Sequence, residues 1–183
     1  MKDLKNNLKS DLSRLTNKTG FLIFIKFLLV NHSFKLCFFY RLSKFYKNRN
    51  KFLYFIFFII YKNIQIKYGV QLPDNTQIGK GLQFSHFSGI VINAEAVIGD
   101  NFTIFQCATV GSVRGKGFPV IGDNCILFAG AKVIGNVTLG NNVIVAANAV
   151  VTKDFPDNAV VGGIPAKILS YKGEIISKQY RNQ

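Results

Sequence analysis

The chain has 183 residues, which is about one domain with room for an appended segment. It carries 23 Lys plus Arg against 9 Asp plus Glu, and the resulting net charge of +14 is unevenly placed. Cys37, Cys107 and Cys125 are odd in number and lack metal-ligand spacing, so they read as reduced, structural thiols of a cytosolic chain rather than a disulfide framework or a metal site.

Residues 1–69 hold fourteen basic residues against Asp3 and Asp11, a net of +12, whereas residues 70–183 hold nine against seven. The same first segment contains 11 of the 18 Phe, so basic and aromatic side chains are concentrated together. It is predicted to be helical. Its longest apolar run, Phe52 to Ile60, is bounded by Lys51 and Lys62 and reaches about half of the roughly 20 residues that a membrane-crossing helix needs. The alternation in Phe38-Phe39-Tyr40-Arg41-Leu42-Ser43-Lys44-Phe45-Tyr46-Lys47 suits a helix lying among lipid headgroups. Two readings stay open: a membrane-apposed segment, and helices packed on each other and on the rest of the chain. No nucleic-acid partner is expected, because no DNA- or RNA-binding motif accompanies the basic residues. No cleavable signal is expected either, since the first 20 residues are polar and charged. The expected location is cytoplasmic, peripheral on the inner face of the cell membrane if the helices bind it.

From residue 70 a different pattern takes over. Apolar side chains fall every six residues on Ile121, Leu127, Val133, Leu139, Val145 and Val151, with a small or turn-forming residue close behind most of them. Neither helix nor ordinary strand has that period; it is the mark of a parallel β-helix built from hexapeptide rungs. The same beat runs through Leu72, Ile78 and Phe84, then through Ile92, Ile98, Ile104 and Val110. Its phase slips twice. Between Phe84 and Ile92 the step is eight, with His86 inside it, and between Val110 and Ile121 it is eleven, which predicts an extruded loop over residues 112–119. A stack of rungs tolerates insertions only where they loop outward, so the slips are where a site is expected. Residues 168–183 are predicted to be a short helix or tail capping the stack.

Residues 86–92, with His86-Phe87-Ser88-Gly89, then Ala96-Val97-Ile98-Gly99-Asp100-Asn101, Ala129-Gly130-Ala131-Lys132 and Gly162-Gly163-Ile164-Pro165-Ala166-Lys167, resemble the left-handed β-helix acyltransferases, specifically their serine acetyltransferase-like branch. The likeness covers about residues 70–170. The N-terminal segment, through phrases such as Tyr40-Arg41-Leu42, is similar to members that acetylate capsule and exopolysaccharide. The resemblance implies a mainly β fold: a left-handed parallel β-helix of hexapeptide rungs over residues 70–167, preceded by the α-helical segment 1–69. It also implies a homotrimer, with acetyl-CoA lying in the groove between subunits. The motif match places Gly111, Ala129, Gly130, Ala131, Ala147 and Pro165 along the coenzyme, with Lys153 and Lys167 for its phosphates. A backbone N–H near Gly111 and Ser112 would stabilise the oxyanion, and Arg114, Lys116 and Phe118 would form an acceptor loop.

Acetyl transfer to an alcohol needs a base, and imidazole titrates in the useful range. Of the two histidines, His32 reads as a surface or interfacial residue, and His86 matches the catalytic histidine of the resembled family. Two departures bear on the acceptor. The family's carboxylates that attend the histidine are replaced by Gln71 and Ser85, leaving Gln71, Asp74, Glu95 or a backbone carbonyl to orient the ring. The Arg-His pair that holds the carboxylate of serine is replaced by Gly117 and Phe118. Both changes favour a sugar hydroxyl, on a surface polysaccharide or its precursor, over free serine. Serine acetylation for cysteine synthesis is the first alternative and a non-catalytic β-helix scaffold the second. Zinc chemistry on the same prism would need three histidines, so no metal is expected.

Overall fold

The computed structural model describes residues 2–114 and 117–181, so Lys116 of the expected acceptor loop lies outside the described residues. Four helices come first: α1 (Lys2–Ser13), α2 (Phe21–Val30), α3 (His32–Tyr46) and α4 (Lys51–Tyr68). Their limits follow local chemistry. Asn31 Oδ1 accepts the Phe34 N–H at 2.9 Å to start α3, and Asn50 Oδ1 accepts that of Leu53 at 3.0 Å to start α4. Gly69, at φ 63°, ends α4 in the left-handed conformation that a side chain resists. Helices α2 and α3 meet at 102°, and no single helix among the described residues is long and apolar enough to cross a membrane.

The chain then winds into coils of three short strands. The first coil is β1 (Val70–Gln71), β2 (Gln77–Ile78) and β3 (Gln83–Phe84); the second is β4 (Ile90–Ile92), β5 (Val97–Ile98) and β6 (Thr103–Ile104). The third is β7 (Thr109–Gly111), β8 (Val120–Ile121) and β9 (Ile126–Leu127); the fourth is β10 (Lys132–Ile134), β11 (Thr138–Leu139) and β12 (Ile144–Val145). A last partial coil holds β13 (Val150–Val151) and β14 (Val160–Gly162), followed by β15 (Lys167–Ser170) and α5 (Gly173–Arg181). Strands one coil apart pair in parallel and build a three-faced prism. The first face is β1-β4-β7-β10-β13, the second β2-β5-β8-β11, and the third runs from β3 through β6, β9, β12 and β14 to β15, whose pairing is antiparallel.

The six-residue beat is the inward row of this prism. Every beat residue from Leu72 to Val151 is buried, and register follows it, with Ile98 opposite Ile121 and Ile104 opposite Leu127. A hexapeptide places one large aliphatic per face inside and spends the remainder on strand and turn, so the core is a stack rather than a globule. At the corners between the second and third faces, Asn101, Asn124, Asn142 and Asn158 all adopt positive φ between 57° and 64°. Asparagine tolerates that region better than most residues. Its amide also bonds the next coil, Asn101 to Asn124 and Asn142 to Asn158, each at 3.0 Å.

Helices α3 and α4 close the first coil. The Tyr40 hydroxyl donates to Thr76 O at 2.6 Å and the Tyr61 hydroxyl to Leu72 O, with both rings fully buried. The packed reading of the N-terminal segment therefore holds for α3. Helix α2 differs: nine of its ten residues are apolar and none is buried.

Candidate functional site

The first phase slip is a two-residue bulge on one edge of the prism. Along the edge between the third and first faces, successive coils align Phe105 with Phe128 and Ala146, and Cys107 with Gly130 and Asn148, through the bonds Phe105 N to Leu127 O, Gly130 N to Gln106 O and Asn148 N to Ala129 O. In the first coil Ser85 aligns with Phe105 and Gly89 with Cys107, so three residues, His86, Phe87 and Ser88, stand where Gln106 stands alone in the second. Ser88 at φ 82° and Gly89 at φ 68° make the tight return. A Cβ on Gly89 would meet Cys107 Sγ at 3.2 Å, so the return presses on the coil above.

The two inserted rings part company. Phe87 turns toward the helices, 5.2 Å from the Tyr68 ring and 6.0 Å from that of His32, and fixes the bulge by packing. His86 is left exposed, with its ring 5.7 Å from Phe105. Bulge and anchor together hold an imidazole out from an edge that carries Phe105 and Phe128 on one side and small residues, Ala129, Gly130 and Ala147, beside them.

The expected donor residues fall into two groups. Ala129, Gly130, Ala131 and Ala147 lie on the His86 edge, with Pro165 and Lys167 at its far end. There the main chain is open to a ligand, because Ala147, Pro165 and Lys167 are exposed and Ala129 and Gly130 are half-buried. Gly130 is at φ 71°, a conformation that side chains resist, and a Cβ there would require Asn148 Oδ1 to move. An extended amide-bearing arm can therefore run beside backbone groups, with the Lys167 ammonium at the end where phosphates would lie. Gly111, Ser112, Arg114, Phe118 and Lys153 do not share this edge. They lie at the opposite border of the first face, where Ser112 Oγ is 3.5 Å from Asn93 Nδ2. Four residues of strand, on the order of 13 Å, separate the two borders. The expected oxyanion and acceptor groups therefore cannot reach an acetyl group at His86 within one protomer; only a seam that sets one protomer's edge against another's border would unite them.

The expected partners of His86 need correction. The Asp74 carboxylate is buried and bound by Lys47 Nζ at 2.8 Å and by Ser43 Oγ at 3.3 Å, so it secures α3 rather than an imidazole. Glu95 is exposed on the turn between β4 and β5, on a different edge from His86. Gln71 is exposed on the first face opposite Val91, and among the described residues no hydrogen bond joins its side chain to His86. Sequence reasoning missed Gln106, which aligns with the bulge and whose Oε1 is buried without a hydrogen-bond partner among the described residues. The signal was available, since Gln106 follows Phe105 as the corner opposite the slip.

Two further features surround the histidine. Phe105, Phe128 and Tyr180 of α5 form a ladder of rings, with Phe105 5.1 Å from Phe128 and Phe128 5.5 Å from Tyr180. On the Phe87 side of the bulge, with His86 outside its lining, a pocket of about 380 Å³ is bounded by Asn31, His32, Ser33, Gln83, Ser85 and Phe87, among others. Among the described residues no cluster of His, Cys, Asp and Glu could hold a metal ion.

Residues 118–153 match the bacterial transferase hexapeptide (six repeats) family. Over 115 residues the chain is 43% identical to the serine acetyltransferase of Staphylococcus xylosus, covering 61% of this chain and 53% of that protein. The fold is similar to soybean serine acetyltransferase without ligand (27% identical, TM-score 0.78, 92% of this chain and 70% of that one). It is also similar to a serine acetyltransferase in complex with CoA (25% identical, TM-score 0.76, the same two shares). The chain spans about half the length of the curated relatives it matches. The inward hexapeptide row, the parallel three-faced prism and these likenesses all fit the hexapeptide-repeat fold, which the chain shares with serine acetyltransferases.

Proposed function

We propose that the protein is an acetyl-CoA-dependent O-acetyltransferase with His86 as general base. The observation that carries this reading is the bulge that lifts one imidazole from an edge where Ala129, Gly130 and Ala147 leave the main chain open. In the reaction, His86 takes the proton of the acceptor hydroxyl as its oxygen attacks the thioester carbonyl. The tetrahedral intermediate then collapses: the C–O bond is retained, the C–S bond breaks, and the imidazolium returns the proton to the coenzyme sulfur. Backbone N–H groups stabilise the oxyanion, and Gly111 and Ser112 serve if a neighbouring protomer of a homotrimer supplies them.

The relatives' names support serine as the acceptor. A specific observation favours a second reading, a sugar hydroxyl on a surface polysaccharide or its precursor. A zwitterion such as serine needs a cation to hold its carboxylate. Gly117 and Phe118 leave the loop without the clamp that a carboxylate would use. We further infer a cytoplasmic location, peripheral on the inner face of the cell membrane, and the basic excess of residues 1–69 supports the peripheral part of that reading. The test is release of free CoA from acetyl-CoA with serine and with neutral sugars in parallel, with products identified by an added 42-dalton acetyl group. O-acetylserine as the main product establishes the first acceptor and acetylated sugar the second. No turnover with either, together with no binding of acetyl-CoA, overturns the enzymatic reading in favour of a scaffold.

A further inference from the structure

Between Asp11 and Asp74 the chain has eleven Lys and Arg and not one carboxylate. Only two of those cations pair with an acid among the described residues: Arg41 with Asp11, and Lys47 with Asp74. The apolar surface of the same segment is equally unpaired. On α4 the side chains of Phe52, Phe55, Ile56, Ile59, Ile60 and Ile66 are all exposed and recur at helical spacing, so they form one outward stripe. Lys51 and Lys62 flank one side of that stripe and Lys67 the other. On α2, Phe21 and Leu22 at one end and Leu29 and Val30 at the other are between 67% and 81% exposed. A helix that is apolar on its outer face while its inner face already packs on α3 needs a second apolar phase.

A cleft adds a built element. Between α1 and α2 a cavity of about 620 Å³ is floored by Leu8, Leu12, Phe21 and Phe24. Lys5, Lys9 and Lys18 stand around it, and Gly20 at the start of α2 offers no side chain to the free amides of the first turn. An apolar floor under a ring of ammonium groups matches an amphiphile with an anionic head.

We propose that α1, α2 and α4 form one docking surface for an anionic phospholipid bilayer, with the cleft between α1 and α2 receiving lipid chains under a headgroup phosphate held by Lys5, Lys9 and Lys18. This rests on the peripheral placement given above and is independent of the acetyl acceptor. Apart from Leu8 and Leu12 at the floor of the cleft, the surface lies on exposed or half-buried side chains outside the prism, so binding leaves the prism unchanged. The choice of a bilayer over a second protein follows from the charge: a second copy of this chain would bring the same cations to the contact, whereas an anionic surface neutralises them.

The test is co-sedimentation of the full chain with phosphatidylcholine vesicles, with and without phosphatidylglycerol, at low and high salt. The wild type is expected to bind only the anionic vesicles and to lose binding as salt rises. Each lysine near the surface contributes about fivefold, so Lys5→Glu/Lys9→Glu/Lys18→Glu is expected to lose at least tenfold in partitioning. Phe55→Ser/Ile59→Ser is expected to lose a similar factor at low salt. Acetyl transfer to a soluble acceptor should be unchanged in both, which shows that they fold. A wild type that ignores all vesicles overturns the peripheral placement and the inference with it. Anionic-vesicle binding that survives the lysine substitutions leaves the placement standing and overturns the cleft. A larger assembly in solution that Phe55→Ser/Ile59→Ser dissolves, without vesicle binding, assigns the stripe to a second copy of the chain and overturns the lipid surface.

Discussion

Asp11 and Arg41, thirty residues apart and both almost fully buried, face each other through two hydrogen bonds, Arg41 Nε to Oδ2 at 3.0 Å and Nη2 to Oδ1 at 3.1 Å. Each also grips the first coil. Asp11 Oδ1 accepts the N–H groups of Gly81 and Leu82 at 2.8 and 2.9 Å, and Arg41 donates to Ile78 O and Gly79 O at 2.8 and 2.6 Å. Burial pulls against the charge on Arg41, but the Asp11 carboxylate outweighs it and holds the guanidinium above its ordinary range. Asp11→Ala would strand a buried cation and two amides. Breaking one side of such a pair costs about 3–5 kcal/mol. Denaturant titration should show that loss, and a change below about 1 kcal/mol would mean that the clamp is dispensable.

His86 makes no side-chain hydrogen bond to the described residues and is exposed, with its ring tilted 5.7 Å from that of Phe105, so its removal should leave the prism intact. His86→Ala is expected to lower kcat by about 10²–10⁴ while the KM for acetyl-CoA stays within a small factor. Retention of wild-type turnover would remove His86 from the chemistry. Gln106→Ala is the companion variant: if its buried oxygen positions the imidazole, the pH profile of kcat should shift with it, whereas a purely structural Gln106 would change stability alone.

Cysteine reactivity gives a second readout of the His86 edge. Cys107 is exposed, whereas Cys37 and Cys125 are buried, with burial pushing the Cys37 thiol well up and the Cys125 thiol up to about 12. The thiolate is the reactive form. Iodoacetamide near pH 8 should therefore label one site, Cys107, with Cys37 and Cys125 untouched until the chain unfolds. Because Cys107 sits one coil from His86, saturating acetyl-CoA should slow its labelling several-fold. Unchanged labelling with acetyl-CoA bound would move the donor off this edge.

Much of this was legible in the chain because a repeat constrains each residue the same way. Ile121 to Val151 could serve no other fold, and the step of eight around His86 could only be an outward bulge. The partners of His86 were not legible, because they depend on contacts that the beat does not encode. Asp74 was a reasonable candidate by proximity in sequence, yet Lys47 and Ser43, on a helix folded back over the first coil, claim its carboxylate. The split of Gly111 and Ser112 from His86 was hidden for a similar reason: the beat counts rungs but assigns no edge until strand pairing fixes the corners. Tyr180 reached the ladder through the docking of α5, which no period announces.

Alkaline pH should weaken the fold through the same buried groups. Burial raises the thiols of Cys37 and Cys125 and the phenols of Tyr40 and Tyr61, so the folded chain keeps protons that the unfolded chain surrenders above about pH 9 to 10. A state that binds more protons loses stability as pH rises, by up to about 1.4 kcal/mol per pH unit for each such group. Arg14 and Lys44 run the other way: burial, then Arg181, lowers Arg14 to about 10, and burial, then Arg41, lowers Lys44, so the folded chain sheds these charges before the unfolded chain does. Tyr54 and Tyr68 are also raised by burial, so six groups oppose two, and the net is a loss. Chemical denaturation at pH 8, 9.5 and 10.5 should give midpoints that fall steadily, and Cys125→Ala should flatten part of the slope; midpoints that hold constant would mean that these side chains are hydrated in solution.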